Sequence, residues 1–133
     1  MRAMRRLLLA ALLLAALLLS AVPAGATASP RYDVDGPRSV HVGDRVRFSV
    51  TGAEPGERLE VSLAPTINRG GTCCGIAVRG ARADEDGEAT LRFRWPRSYF
   101  LGDSRVRWTP GAKADVIVFG AGRGIAVVRV KRP

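Results

Sequence analysis

Apolar and polar residues alternate most clearly in residues 40–63, VHVGDRVRFSVTGAEPGERLEVSL. A period of two is typical of a β-strand with one buried side and one solvent-facing side. The alternation occurs twice, and the Ala-Glu-Pro-Gly segment at 53–56 between the two runs has the residues of a tight turn. We therefore predict a β-hairpin with one face in the core. Its predicted inward residues are Val46, Phe48, Val50, Leu59, Val61 and Leu63.

The strictest alternation lies in residues 88–95, after an acidic turn at 84–87 that contains an Asp-Gly step. Before this turn, residues 66–75 hold three glycines and predict a loop, which leads into a short strand at 76–78. In residues 88–95 the predicted inward side chains are Ala89, Leu91, Phe93 and Trp95, and the predicted outward ones are Thr90, Arg92 and Arg94.

Strand patterns also occur before residue 40 and after residue 95. Gly36 and Pro37 interrupt a segment near residue 31 that is typical of an edge strand. A short strand is predicted around residues 106–108. Residues 114–119 are more continuously apolar than the other segments, as in a strand that is covered on both faces. The glycines at 120–124 then predict a tight return into a last strand.

These patterns favour an all-β fold. No segment after the N-terminal region has a helical period over more than two turns, and turn residues recur about every 8–12 positions. Seven or eight short strands in about 100 residues indicate a two-sheet antiparallel β-sandwich of the immunoglobulin type rather than a closed barrel.

Residues 1–28 have the pattern of an export signal. Three arginines precede a run of thirteen Leu and Ala residues at 7–19, which is shorter than the ~20 residues that a membrane-spanning helix needs. Small residues follow, and they allow cleavage after Ala28 or after Ala26. We favour Ala28, which predicts a secreted, extracellular domain at 29–133 with no transmembrane segment.

The chain is basic, with a formal charge of +9, of which three charges belong to arginines of the predicted signal. Abundant Arg, Ala and Gly suggest a GC-rich bacterial genome. A basic exported protein could meet anionic polymers of the cell envelope, but no run of adjacent Lys or Arg marks a binding patch. The sequence does not identify the partner: an envelope polymer or a protein is compatible with it, without specific nucleic-acid recognition, and we expect a monomer.

Two segments carry a family resemblance. Residues 40–63 are similar to the first strands of immunoglobulin-like modules in bacterial secreted proteins, in which G-x-x-V-x-F/V-x-V-x-G precedes a Pro-Gly turn and a second alternating strand. The D-G-x-A-T-x-x-F sequence at 86–93 resembles the acidic turn and strand of the same modules. The resemblance implies an immunoglobulin-like β-sandwich, a fold that serves adhesins, carriers, inhibitors and spacers alike.

Cys73 and Cys74 are the only cysteines, and they are adjacent in sequence. Two cysteines in an exported protein ordinarily form one bridge, although neighbouring Cα atoms are ~3.8 Å apart, which is closer than a disulfide prefers. The glycines around them can accommodate the distorted peptide. We favour a vicinal disulfide, with unbridged thiols, an intermolecular bridge and a soft-metal site as alternatives.

Other candidate ligands give weaker signals. The acidic pairs Asp33 with Asp35 and Asp84 with Asp86 lack the full ligand spacing of a calcium loop. The single histidine, His41, is predicted to be a surface side chain. The glycines at 120–124 are followed by a strand, whereas a phosphate-binding loop needs a helix there. We predict no metal and no cofactor.

Aromatic residues concentrate between positions 95 and 108. Trp95 and Trp108 have the parity of core residues, so Tyr99 and Phe100, on a predicted loop, are the candidate surface binding residues. Six arginines alternate outward and could line one face if their strands are neighbours. They are Arg45, Arg47, Arg92, Arg94, Arg105 and Arg107.

The sequence shows no catalytic constellation. It has one histidine and no motif that places two carboxylates across a pocket, so we predict that the protein is not an enzyme. The favoured function is a secreted, non-catalytic binding or cell-surface interaction module. One alternative is a small-ligand carrier resembling the enediyne-binding apoproteins, which are also exported sandwiches. Another is a secreted protease inhibitor that presents residues 66–75 as a rigid loop.

Overall fold

The structure is a computed structural model that describes residues 30–66 and 75–131. These residues form ten β-strands, more than the seven or eight predicted, because several of them are only two to four residues long. The described segments contain no helix, and hence none that is long and apolar enough to cross a membrane. The strands are β1 (Asp33–Asp35), β2 (Ser39–Val40), β3 (Arg45–Thr51), β4 (Arg58–Pro65), β5 (Ile76–Arg82), β6 (Ala89–Arg94), β7 (Ser98–Leu101), β8 (Ser104–Arg107), β9 (Lys113–Phe119) and β10 (Arg123–Val130).

The strands form two larger sheets and one small hairpin. One sheet has three strands in the order β1-β3-β6, and the other has five in the order β2-β10-β9-β4-β5. β7 and β8 pair with each other. All of these pairings are antiparallel except that of β2 with β10, which is parallel.

One hydrophobic core lies between the two larger sheets. The apolar sides of β3 and β6 face those of β4, β9 and β10, and nearly all of these side chains are fully buried. Burying one such side chain contributes about 1.5–3 kcal/mol relative to leaving it exposed. Trp95 and Trp108 extend the core, with ring centroids 5.6 Å apart. The core includes all six inward residues predicted from residues 40–63: Val46, Phe48, Val50, Leu59, Val61 and Leu63.

The predicted hairpin of β3 with β4 is wrong. β3 pairs with β1 and β6, whereas β4 pairs with β5 and β9 in the other sheet. The turn at 53–56 therefore carries the chain across the sandwich. Alternation with a period of two identifies which side of a strand faces the core. It does not tell whether two successive strands are hydrogen-bonded neighbours in one sheet or pack against each other from two different sheets.

The acidic turn at 84–87 makes a second crossing, from β5 to β6, directly beside the first. The amide of Ala53 donates to the carbonyl of Gly87 at 3.2 Å, and the amide of Gly56 donates to the carbonyl of Ala83 at 3.1 Å. Gly87 has φ 75°, and a Cβ at this position would clash with the carbonyl oxygen of Ala53. Glycine at 87 thus lets the two crossings approach each other.

Two other predicted breaks in the chain are confirmed. The segment Gly36-Pro37 separates β1 from β2, and the chain changes sheet there. The glycine-rich turn joins β9 to β10 as a hairpin, with Arg123 opposite Phe119. The prediction that residues 114–119 are covered on both faces is wrong for the outer side: β9 is central in its sheet, but Phe119 is 38% exposed.

Candidate functional site

The two predicted surface aromatics lie on a strand rather than on a loop. Tyr99 and Phe100 belong to β7, which pairs with β8 through a turn at Gly102. Tyr99 is half-buried, and its ring lies 4.6 Å from that of Trp108, centroid to centroid. Phe100 is 39% exposed, and the guanidinium carbon of Arg105 lies 5.3 Å from its ring centroid. Of the two candidates, Phe100 is therefore the more exposed.

The predicted vicinal cysteines, Cys73 and Cys74, lie outside the described residues, as do the predicted signal at 1–28 and most of the loop at 66–75. The two ends of this loop are described. Thr66 donates its hydroxyl to the carboxylate of Asp115, and Gly75 exchanges two backbone hydrogen bonds with Phe100, at 3.0 and 3.3 Å.

Four of the six outward arginines come together on the three-stranded sheet. In the pairing of β3 with β6, Arg45 is directly opposite Arg94, and Arg47 is directly opposite Arg92. All four side chains are exposed, because the residues between them point into the core. We call these four residues the arginine ladder. They line an open concavity of about 540 Å³.

The arginine ladder has little internal charge compensation. Within residues 30–66 and 75–131 none of its members forms an ion pair within 4.0 Å, and the one ion pair found there joins His41 to Asp44 at 3.4 Å. Arg94 donates to the backbone carbonyl of Gly43 at 2.8 Å. Like charges directly opposite each other destabilise a sheet. A bound anion would therefore reduce the repulsion between the arginines of the ladder.

A fifth arginine extends this surface toward the edge of the sandwich. Arg79 on β5 and Arg92 on β6 line a second concavity of about 340 Å³, together with Thr90. The next outward row along β3 and β6 consists of Ser49 and Thr90, which are uncharged. On β1 this row ends at Asp35, which is opposite Ser49. The basic surface is thus bounded on one side by the exposed carboxylate of Asp35.

The remaining two outward arginines, Arg105 and Arg107, lie on β8 in the separate hairpin. The condition that the six arginines line one sheet only if their strands are neighbours is therefore met for four of them. Sequence alone could not select these four, because the grouping depends on the pairing of β3 with β6, in which the opposed residues Arg45 and Arg94 are 49 positions apart in the chain.

The other sequence-derived candidates have structural roles. Asp84 accepts hydrogen bonds from the amides of Asp86 and Glu88 at 2.9 and 3.0 Å, so its carboxylate shapes the turn. His41 is exposed as predicted, although it lies in the turn after β2 and not on a strand. The described residues contain no group of three or more His, Cys, Asp or Glu side chains arranged to hold a metal ion.

An apolar surface that the sequence did not reveal lies on the outer side of the five-stranded sheet. Phe119 is 38%, Ile125 47% and Val127 53% exposed, and Ile117 is half-buried. Ile125 is directly opposite Ile117 in the pairing of β10 with β9. We call these four residues the apolar patch. It faces away from the arginine ladder, on the opposite side of the sandwich.

No protein-family profile matches the sequence, and no curated protein matches it significantly. Among solved structures, the fold is similar to macromomycin, with a TM-score of 0.52 at 18% identity over 74% of this chain and 98% of macromomycin. At this identity the likeness shows the fold alone. It supports an all-β fold made of packed sheets.

Two further solved structures are more distant. An alkylpurine DNA glycosylase of Pseudomonas fluorescens has a TM-score of 0.42 at 17% identity, over 79% of this chain and 31% of that protein. The PKD domain of an M14-like peptidase from a Thermoplasmatales archaeon has a TM-score of 0.37 at 13% identity, over 77% of this chain and 96% of that domain. Neither likeness carries an argument about function.

Proposed function

We propose that this protein is a secreted, non-catalytic binding module with an immunoglobulin-like β-sandwich, and that it binds an anionic polymer of the cell envelope. The observation that carries the proposal is the arginine ladder, in which two pairs of arginines stand directly opposite each other. The two-sheet strand order with crossings between sheets supports the immunoglobulin-like class.

Arginine suits this role better than a general positive charge would. Its planar guanidinium presents a fork of N–H donors that can bind a phosphate or a carboxylate through two parallel hydrogen bonds. Paired strands lie about 4.8 Å apart, and outward residues two positions apart on one strand are separated by about 6.6 Å. The ladder therefore offers a two-by-two array that matches repeated anionic groups rather than a single ion.

Export is part of the proposal, and the basic segment, the thirteen-residue apolar run and the small residues before position 29 support it. Intact-mass measurement of the protein from culture supernatant tests it. The expected mass corresponds to a chain that begins at Ser29. Recovery of a chain that retains residues 1–19 in the membrane fraction would contradict export.

Binding is tested with inorganic polyphosphate as the probe, by calorimetry at 50 and 300 mM NaCl. The paired variant Arg47→Thr with Arg92→Thr should weaken binding at least tenfold at the lower salt concentration. The control Arg105→Thr with Arg107→Thr removes the same charge from β8, in the separate hairpin, and should change the affinity less than threefold. Equal losses in the two variants would show a non-specific charge effect and overturn the ladder as the site.

A small-ligand carrier is a second candidate, favoured by a concavity of about 810 Å³ on the outer side of β4 and β5. This volume is within the range of ligand pockets, about 300–1,000 Å³. The fold shared with macromomycin is compatible with this candidate. Native mass spectrometry after exposure to culture extract separates the two functions, since a carrier retains a small molecule and a polymer-binding module does not.

A further inference from the structure

The outer side of the five-stranded sheet carries a row of three residues with opposite charges at its ends. Arg123 on β10 and Glu60 on β4 are both directly opposite Phe119 on β9, so that the row reads Arg123, Phe119, Glu60. All three side chains are exposed. In the described part of the chain, neither Arg123 nor Glu60 has an oppositely charged partner within 4.0 Å.

We propose that the apolar patch is the contact surface for a second copy of this chain. A two-fold axis in the contact plane, passing over Phe119 and inclined about 15° to β9, turns the row around and places it against itself. Phe119 then meets Phe119 of the second copy, while Arg123 meets Glu60 of the second copy on both sides. The same operation places Ile117 against Ile117 of the second copy. An isologous contact of this kind is the commonest form of homodimer.

The charges favour this partner over an unrelated protein. The chain is strongly basic, so two copies repel each other in most orientations. The two Arg123–Glu60 pairs offset part of that repulsion in one orientation and thereby set the register of the contact. Lys113, which also lies on β9, is six residues from Phe119, about 20 Å along the strand. Sheets packed face to face cross at about 30°, which separates the two Lys113 residues.

The size of the surface predicts a weak dimer. Three strands at about 4.8 Å spacing and six residues at about 3.3 Å cover roughly 300 Å² on each copy. A standard stable interface buries about 800 Å² per partner. The contact should therefore form at high local concentration. The dimer departs from the monomer predicted from sequence, and it leaves both arginine ladders exposed on opposite outer sides.

Sedimentation equilibrium of the purified protein from 10 µM to 1 mM, at 50 mM NaCl, tests the dimer without any ligand. We expect reversible dimerisation within this range. The single variants Glu60→Arg and Arg123→Glu should each weaken it at least tenfold, and the double exchange should restore it to within threefold. Phe119→Ser should also weaken it at least tenfold, whereas the control Arg97→Glu, outside the row, should change it less than threefold.

A protein that remains monomeric at 1 mM would overturn the proposal. Single variants that weaken association while the double exchange does not restore it would also overturn it, because the pairing of Arg123 with Glu60 would then be absent. Circular dichroism of each variant establishes that the fold is intact. Polyphosphate binding is measured separately, so failure of the dimer leaves the proposed function of the ladder standing.

Discussion

The hydroxyl of Tyr32 donates a hydrogen bond to the carboxylate of Glu57, 25 positions further along the chain. The amide of Gly122 donates to the hydroxyl oxygen of Tyr32 at 2.6 Å, and the amide of Ala121 donates to the same carboxylate oxygen of Glu57 that Tyr32 contacts. The other oxygen accepts from the amide of Glu54 at 2.8 Å. One tyrosine and one carboxylate thus connect the segment before β1, the first crossing and the β9–β10 turn.

This network predicts an acid-sensitive stability. The hydrogen bond from Tyr32 lowers the pKa of Glu57 below its ordinary value, so folding favours the ionised carboxylate. The contribution is present above the ordinary pKa of 4.5 and is lost as the pH falls through that value toward the lower pKa of the folded state. Urea unfolding at pH 7 and pH 3 measures this effect. The free energy of unfolding should fall less between pH 7 and pH 3 for Glu57→Gln than for the wild type.

The matched control is Glu60→Gln, which removes an exposed carboxylate that has no hydrogen bond in the described structure. Its loss of stability between the two pH values should equal that of the wild type. If Glu57→Gln and Glu60→Gln respond alike, the carboxylate of Glu57 does not contribute through this network.

The parity of β6 predicts unequal effects at adjacent positions. Phe93 is half-buried, and its ring stacks on that of Phe48 with centroids 6.0 Å apart, whereas Arg92 is exposed. Phe93→Ala should lower the free energy of unfolding by about 2–4 kcal/mol, near the lower part of the range for aromatic truncation because burial is incomplete. Arg92→Ala should change it by less than about 0.5 kcal/mol at 1 M NaCl, where the repulsion between Arg92 and Arg47 is screened. Equal changes in urea unfolding would contradict this assignment.

The sequence predicted the inward faces far better than the pairing of strands. Val46 and Leu59 are core residues as their alternation predicts, yet their strands lie in opposite sheets. Sequence periodicity is a local property, whereas pairing depends on contacts between distant segments, such as Phe48 with Leu91. The error at 53–56 has the same origin, since a Pro-Gly turn fits a hairpin and a crossing between sheets equally well.

The candidate surfaces show the same limit. Outward arginines at alternate positions were recognisable in sequence, but their union into a ladder required the register that sets Arg47 against Arg92. The apolar patch was missed because the apolar run at 114–119 indicated cover on both faces. A signal was present in β10, where Ile125 and Val127 occupy the positions that alternate with the buried Val128 and Val130.

The two glycines Gly87 and Gly111 provide a matched test of the crossings between sheets. Both have positive φ, 75° and 83°, so alanine costs about 1 kcal/mol or more at either position from backbone strain alone. At Gly87 the added Cβ would also clash with the carbonyl of Ala53, whereas at Gly111 no atom lies within 4 Å. Thermal unfolding should show a loss for Gly87→Ala that exceeds the loss for Gly111→Ala by at least about 1 kcal/mol. Equal losses of stability would mean that the close approach of Gly87 to Ala53 does not restrict the residue at position 87.

The vicinal disulfide of Cys73 and Cys74 remains a prediction from sequence. The closed ring contains no residues between the cysteines, so it removes little entropy from the unfolded chain. Mild reductant should therefore open the bond without a measurable change in the unfolding midpoint. Thiol titration under denaturing conditions should find no free thiol before reduction and two afterwards. Two free thiols in freshly secreted protein, or a reducible dimer on gels, would exclude the bridge.

The arginine ladder predicts that removing one of its charges stabilises the fold at low salt. Arg47 stands directly opposite Arg92, and repulsion between like charges at this spacing costs a few tenths to about 1 kcal/mol. Arg47→Thr keeps a residue that favours strands. It should raise the free energy of unfolding by that amount at 20 mM NaCl. At 1 M NaCl, where screening acts over about 3 Å, the gain should disappear.

The control is Arg107→Thr, because Arg107 is exposed on β8 and stands opposite Ser98 rather than another arginine. It should show no gain at either salt concentration. Polyphosphate supplies the counter-charges that the ladder lacks, so it should raise the unfolding temperature of the wild type and of Arg107→Thr more than that of Arg47→Thr. A low-salt loss of stability in Arg47→Thr would instead show that Arg47 packs favourably against its neighbours and that repulsion across the ladder is negligible.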